Sequence, residues 1–246
     1  MVAGAGDGSE THDPTPDGVA SESHSALEDL LAIIAHEMRA PLSVVCVAAD
    51  TATTRELEPG QLEELLQVIR RNAELAMLLT DRLGLAREVE LGTFELHRTD
   101  LDLAMLAAQT VTDLTPAIAE HRHVTVTAPE PVMVLADETS LREILFNLLL
   151  NATKYSPRGS EIDVAVTSDD GDAVLTVRDH GCGVDASEQE HIFGKYQQVD
   201  QTAPGVGLGL FISRGLARAN GGDLTVGSPT DGGSTFELRL PATSAT

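Results

Sequence analysis

The sequence predicts a two-domain α+β chain, an antiparallel helical hairpin followed by an α/β sandwich, and three observations carry that reading. Apolar residues recur at threes and fours through two long N-terminal segments, which is a helical period. After Leu91-Gly92 the texture changes to short alternating runs separated by helical ones. Hydrophobic residues make up 42 % of the 246, enough for a packed core, but aromatics are only 3 % and Trp is absent. The core must therefore be built from Leu, Val, Ile and Ala.

Residues 1–25 carry five acidic side chains, no Lys or Arg, and scattered Gly, Pro, Ser and Thr. Such a segment buries too little apolar area to offset its ordering entropy, so it reads as a disordered acidic tail. Residues 26–90 form the hairpin. From Leu27 to about Thr54 the stripe is Leu27, Leu30, Leu31, Ile34, Met38, Leu42, Val45 and Ala49. Pro59-Gly60 interrupts it. A second helix from about Gln61 to Arg87 carries Leu62, Leu65, Leu66, Ile69, Ala73, Ala76, Leu79, Leu83 and Ala86. A lone hairpin leaves apolar surface wet, so pairing into a homodimeric four-helix bundle is the natural remedy.

In residues 91–246 alternating runs appear at Thr93–Arg98, His123–Thr127, Val132–Leu135, Glu161–Thr167, Ala173–Arg178 and Thr235–Leu240. Helical patterns fall at Leu103–Glu120, Ser140–Lys154 and Leu208–Ala219. Strands and helices mixed in this order predict a sandwich with helices on one face of a mixed sheet.

The formal net charge of −23 argues against nucleic-acid partners and anionic membranes, since phosphate backbones would be repelled. No run approaches the ~18 apolar residues needed to cross a bilayer, and the acidic N-terminus is not a secretory signal. Cys46 and Cys182 suggest neither a metal-ligand spacing nor a disulfide framework, which favours a reducing, cytoplasmic compartment.

Four constellations could carry chemistry. His36 lies roughly 180° from the apolar stripe at ~100° per residue, hence on a solvent face. Glu37 beside it can accept from one ring nitrogen and leave the other as a neutral nucleophile. Pro41 removes a backbone donor just past the His and should kink the helix. Glu143, Asn147, Asn151 and Lys154 share one face of a helix that is otherwise apolar nearly all round. That row is either a buried hydrogen-bond network or a site where amides hold Mg²⁺ and Lys154 meets phosphate. Asp179-His180-Gly181-Cys182-Gly183 follows a strand, where a carboxylate could accept from a base amino group while Gly admits close backbone approach. Gly205-Val206-Gly207-Leu208-Gly209-Leu210 opens a helix whose amides could cradle phosphates. It has neither the spacing of a P-loop nor the preceding strand of a dinucleotide fingerprint. The chain holds 14 Arg but only two Lys, Lys154 in the polar row and Lys195 in Ile192-Phe193-Gly194-Lys195-Tyr196, on the stretch between the two glycine motifs. An ammonium point charge, a common phosphate partner, is thus reserved for these positions.

The stretch His36-Glu37-Met38-Arg39-Ala40-Pro41-Leu42 resembles the phosphoacceptor box of sensor histidine kinases of two-component systems. Asn147–Tyr155 resembles their N box, Asp179–Gly183 the G1 box, Ile192–Tyr196 the F box and Gly205–Leu210 the G2 box; Gly232–Phe236 completes the set. The resemblance covers about residues 27–243. It implies a Bergerat-type ATP-binding domain with ATP and Mg²⁺ as cofactors. His36 would be the autophosphorylation site and Glu37 its base or orienting partner. Asn151 would be the metal ligand, Lys154 and Lys195 would meet phosphates, Tyr155 would edge the pocket and Asp179 would read adenine. Gly205, Gly207, Leu208 and Gly209 would hinge a lid over the nucleotide. The implied partners are a second copy of the chain and an aspartate-bearing response-regulator receiver domain, with room for a separate sensor protein. Members that also dephosphorylate their partner often carry Thr or Asn four residues after the His; here that residue is Ala40, which implies weak phosphatase activity. Two other readings stand beside this one. The chain could be an ATP-binding dimeric scaffold without kinase activity, or an ATPase of the chaperone and topoisomerase type that shares the nucleotide fold.

Overall fold

The structure is a computed structural model. It describes residues 16–118, 123–198, 206–230 and 232–243, excepting the side chains of 16–33, 36, 59 and 115–118. The chain divides into two compact units, one ending at Ala73 and the other covering Glu74–Thr246.

Two long helices come first, α1 (Pro16–Thr54) and α2 (Pro59–Leu91). The expected tail is shorter than the sequence suggests, because residues 16–25 already belong to α1; residues 1–15 lie outside the described residues. Pro16 suits a first helical position, where the missing N–H would find no intrahelical partner anyway. Helix α1 runs on through Pro41 rather than ending there. The expected break at Pro59-Gly60 is instead the first turn of α2, and residues 55–58 make the connection. Pro59 opens that helix for the same reason as Pro16, and the Gln61 side chain accepts from the Glu58 amide at 3.2 Å. In the first unit Ala48 is buried, while Leu42, Val44, Val47, Leu62 and Leu66 are exposed, Val47 to 65 %.

The second unit is the sandwich. A five-stranded mixed sheet is assembled from β2 (His123–Thr127), β4 (Glu161–Asp169), β5 (Asp172–Asp179), β7 (Thr235–Pro241) and β6 (Asp223–Gly227), in that spatial order. Only the β2–β4 pair is parallel. A separate antiparallel pair joins β1 (Arg98–Asp102) to β3 (Met133–Asp137). Helices α3 (Leu103–Ile118), α4 (Glu138–Tyr155) and α5 (Gly209–Ala219) pack on the large sheet. Alternation sorts β4: Ile162, Val164 and Val166 are buried and their neighbours are not. They meet Leu141, Ile144, Leu145, Leu148 and Leu149 of α4 and Ile212 and Leu216 of α5 in one continuous core. The strand expected at Thr93–Arg98 forms five residues later, because only Arg98–Asp102 finds a partner, in β3. Strand β6 was not expected; it has only Leu224 and Val226 as apolar signal and pairs with β7 alone.

The C-terminal part of α2 belongs to this unit. Ala86 is 3 % exposed within the core, with Leu79, Leu83 and Val89 packed against it. Gly215 of α5 makes room for this helix, since a Cβ there would collide with the Val89 side chain.

Helix α4 starts at an N-cap that also anchors β1. The buried Asp137 carboxylate accepts from the Ser140 amide and hydroxyl, each at 2.7 Å, and from the His97 amide at 3.0 Å. Burial pushes this carboxyl up, but the Ser140 and His97 bonds outweigh it and hold it below the ordinary carboxylate range. Asp137→Ala is expected to lower stability by about 2 kcal/mol, the upper end for a lost N-cap, read as a drop in urea midpoint at unchanged slope.

Candidate functional site

Helices α2, α4 and α5, with the loops after β5 and before α5, enclose a cavity of about 400 Å³, within the range of small-ligand sites. Its lining includes Asn147, Asn151, Lys154, Tyr155, Asp179, Gly183, Gly207, Leu208 and Gly209, so the N-box, G1-like and G2-like motifs converge on one space.

Asn147 is 3 % exposed and fully engaged. Its Nδ2 donates to Glu143 Oε1 at 3.2 Å and to Ser213 Oγ at 3.3 Å, and its Oδ1 accepts from Arg82 Nη2 at 2.6 Å. The network reading and the ligand-site reading of the polar row thus each hold for part of it. Asn147 is a buried tie between helices, while Asn151 and Lys154 face the cavity. Lys154 Nζ lies 5.0 Å from the Tyr155 ring centroid.

Asp179, 3 % exposed, ends β5. Its Oδ1 accepts from the Gly181 amide at 2.8 Å and the Ser234 amide at 3.3 Å, and its own N–H donates to Ser234 O at 2.9 Å. Gly232–Phe236 therefore matters by fixing this carboxylate. Gly207 sits at φ +68°, and a Cβ there would lie 2.7–2.9 Å from backbone atoms of Tyr196 and Gln197. Only glycine fits where the Tyr196 amide donates to Gly207 O at 2.9 Å. Helix α5 then begins with no side chain capping its amides, leaving N–H groups turned toward the cavity end of the helix.

Not every expected residue lines the cavity; Gly181 is absent from its lining, though its amide holds Asp179. Lys195 pairs with Glu90 of α2, lies 5.3 Å from the Phe211 ring and does not line the cavity. Gly205 lies outside the described residues, as does the His36 side chain, and with it the expected solvent face; Glu37 is half-buried in the first unit. Residues that sequence reasoning passed over are Leu75, Leu78, Leu79 and Arg82 of α2, which roof the cavity. Of these only Leu79 carried a signal, as part of the helical stripe, which reads equally well as hairpin core.

The donor set suits magnesium carried in with a nucleotide. No group of three His, Cys, Asp or Glu side chains able to cage a metal occurs among the described residues. Asn151 lines the cavity with a side-chain amide whose oxygen could serve as a ligand, and Mg²⁺ binds through one or two protein oxygens together with phosphates and water. No helix among the described residues is long and apolar enough to cross a membrane.

Residues 26–89 match the His Kinase A (phospho-acceptor) domain, and residues 136–244 match the histidine kinase-, DNA gyrase B- and HSP90-like ATPase. The chain belongs to the two-component histidine kinases. Among its histidine kinase relatives is the circadian input-output histidine kinase CikA of Thermosynechococcus vestitus, 30 % identical over 90 % of this chain and 32 % of that protein. The adaptive-response sensory kinase SasA of Microcystis aeruginosa is 31 % identical over 87 % of this chain and 59 % of its own. The aerobic respiration control sensor protein ArcB of Escherichia coli is 33 % identical over 87 % and 28 %. This histidine kinase chain thus spans between 28 % and 59 % of the lengths of these three. Full-length ShkA, solved in complex with AMPPNP, is similar with a TM-score of 0.68 and 27 % identity, over 89 % of this chain and 46 % of that one. The mycobacterial sensor histidine kinase MprB gives 0.55 and 26 %, over 60 % and 99 %.

The F-box end of the site is fastened by charge. The Arg214 guanidinium stacks 4.7 Å over the Phe193 ring and pairs with Glu190 at 2.7 Å and Asp223 at 3.0 Å, while Arg218 shares Asp223 at 3.0 Å. Burial works to raise the Asp223 carboxyl, but hydrogen bonds from Arg214, Arg218 and the Leu224 amide pull it from 3.8 down to about 2. A carboxyl depressed on folding stabilises above its unfolded value, and that contribution is lost as pH falls through its folded value. Asp223→Asn should therefore destabilise at neutral pH, and the difference in urea midpoint from the wild type should close between about 3.8 and about 2.

Proposed function

We propose that this chain is the kinase core of a two-component system, in which Mg·ATP bound in the second unit phosphorylates His36 and the phosphoryl group passes to an aspartate of a response-regulator receiver domain. The observation that carries the reading is one cavity lined by Asn151, Lys154 and Asp179 in a chain whose residues 26–89 match a phospho-acceptor domain bearing His36. The matched spans support a division into a phosphotransfer hairpin at 26–90 and a catalytic ATP-binding domain at 91–246.

Both amide bonds to Asp179 fall on Oδ1, so Oδ2 is the oxygen that accepts from the adenine amino group. Lys154 lends a positive charge to the phosphates and Asn151 an amide oxygen to the metal; magnesium, when bound, neutralises charge developing on the phosphoryl oxygens. The uncapped amides of α5 meet the phosphates as well. Glu37 accepts from one ring nitrogen of His36, and the other attacks the γ-phosphorus in line, releasing ADP. With a reference pKa near ~6.5, imidazole is mostly neutral at cytoplasmic pH. The exposed Leu42, Val44, Val47, Leu62 and Leu66 support pairing of two chains into a bundle.

Incubation with Mg·[γ-³²P]ATP should place acid-labile, base-stable label on the wild type and none on His36→Gln. Label on the variant, or steady phosphate release without a phosphoprotein, would overturn the kinase reading in favour of an ATPase. A second expectation concerns Ala40, which cannot orient water: a phosphorylated receiver domain should lose phosphate no faster with this protein than alone, and Ala40→Thr should accelerate that loss.

A further inference from the structure

Helix α2 brings a guanidinium into the nucleotide cavity that no motif assigns. Arg82 lines the cavity with a side chain only 21 % exposed. Apart from the 2.6 Å bond from Nη2 to Asn147, its nearest compensation is Glu143 Oε1 at 3.9 Å, beyond hydrogen-bond reach. Its Nε is buried with no hydrogen-bond partner. Burial works against the charge more strongly than Glu143 supports it. The uncapped start of α5 is adjacent: a Cβ built at Gly209 lies 3.9 Å from Arg82 Nη1 and 3.3 Å from Asn147 Oδ1. A guanidinium and a helix N-terminus, both positive, thus share one corner of the cavity. Among the lining residues the only other cation is Lys154 and the only carboxylate is Asp179, which is held by Gly181 and Ser234.

An anion in that corner would offset the half-compensated charge and accept from the guanidinium and the α5 amides together. The geometry points to Arg82 as a ligand of the polyphosphate of the bound nucleotide, contributed by the helix that roofs the cavity. The assignment rests on reading the cavity as an ATP site and adds a residue outside the N, G1, F and G2 boxes, on a helix that precedes the matched ATPase span. Planar and forked, the guanidinium can grip two phosphate oxygens, which an ammonium cannot.

Titration calorimetry on the whole chain with Mg·AMPPNP and, separately, with adenosine tests this. Arg82→Gln should weaken Mg·AMPPNP by about tenfold or more, the scale of a hydrogen bond to a charged group, and leave adenosine affinity unchanged. Arg82→Lys should recover part of the loss. The same variants need an unfolding midpoint close to the wild type, and Glu143→Gln, which removes the carboxylate 3.9 Å from Arg82, should bind Mg·AMPPNP at least as tightly. Unchanged or tighter Mg·AMPPNP binding by Arg82→Gln overturns the assignment and makes Arg82 a latch on the empty site. Equal loss for adenosine also overturns it, leaving a structural role. A wild type that binds neither compound sinks the ATP reading itself, a result separable from the other two.

Discussion

The arrangement of the second unit depends on one buried amide. Asn147 sits in the middle of a helix whose other sides are apolar, and a polar group so placed costs several kcal/mol unless it finds hydrogen-bond partners. Its oxygen accepts from Arg82 of α2, and its amide group donates to Glu143 on its own helix and to Ser213 on α5. Three helices are therefore held in register by a side chain that touches the cavity wall. With that register set, Asn151 and Lys154 follow one and two turns later on the cavity side, and the amide end of α5 falls beside them.

Much of this was legible in the sequence, for identifiable reasons. The α4 pattern could be read because a polar row on a leucine-rich helix has few innocent explanations, and strand β2 was placed at its observed limits by clean alternation from His123 to Thr127. What escaped was decided by partners distant in sequence. Arg82 stands one residue before Leu83 of the α2 stripe and looks like an ordinary surface cation, yet its acceptor is 65 residues away. The pairing of Lys195 with Glu90 of α2 was equally invisible, since the two lie about a hundred residues apart in the chain. Strand β1 shifted for the same reason: a strand exists where a ladder partner exists.

The periodicity of α2 also hid a division of labour. A stripe from Leu62 to Ala86 reads as one surface with one purpose. In the structure its early part belongs to the first unit, whereas Leu79, Leu83 and Ala86 join the core of the sandwich. Composition gives no sign of this, because Leu and Ala serve either surface equally. The close approach at Gly215 is the one local hint, a residue with no side chain facing Val89.

That shared helix sets a rule for dissecting the protein. Cutting just past Leu91, where the helical and mixed halves meet in sequence, would strip Leu79, Leu83, Ala86 and Val89 from the sandwich and bare the greasy strip beneath them. Such a fragment would tend to self-associate and would lose one wall of its cavity. An excised piece intended for crystals or spectroscopy should keep the turns of α2 from Glu74 onward.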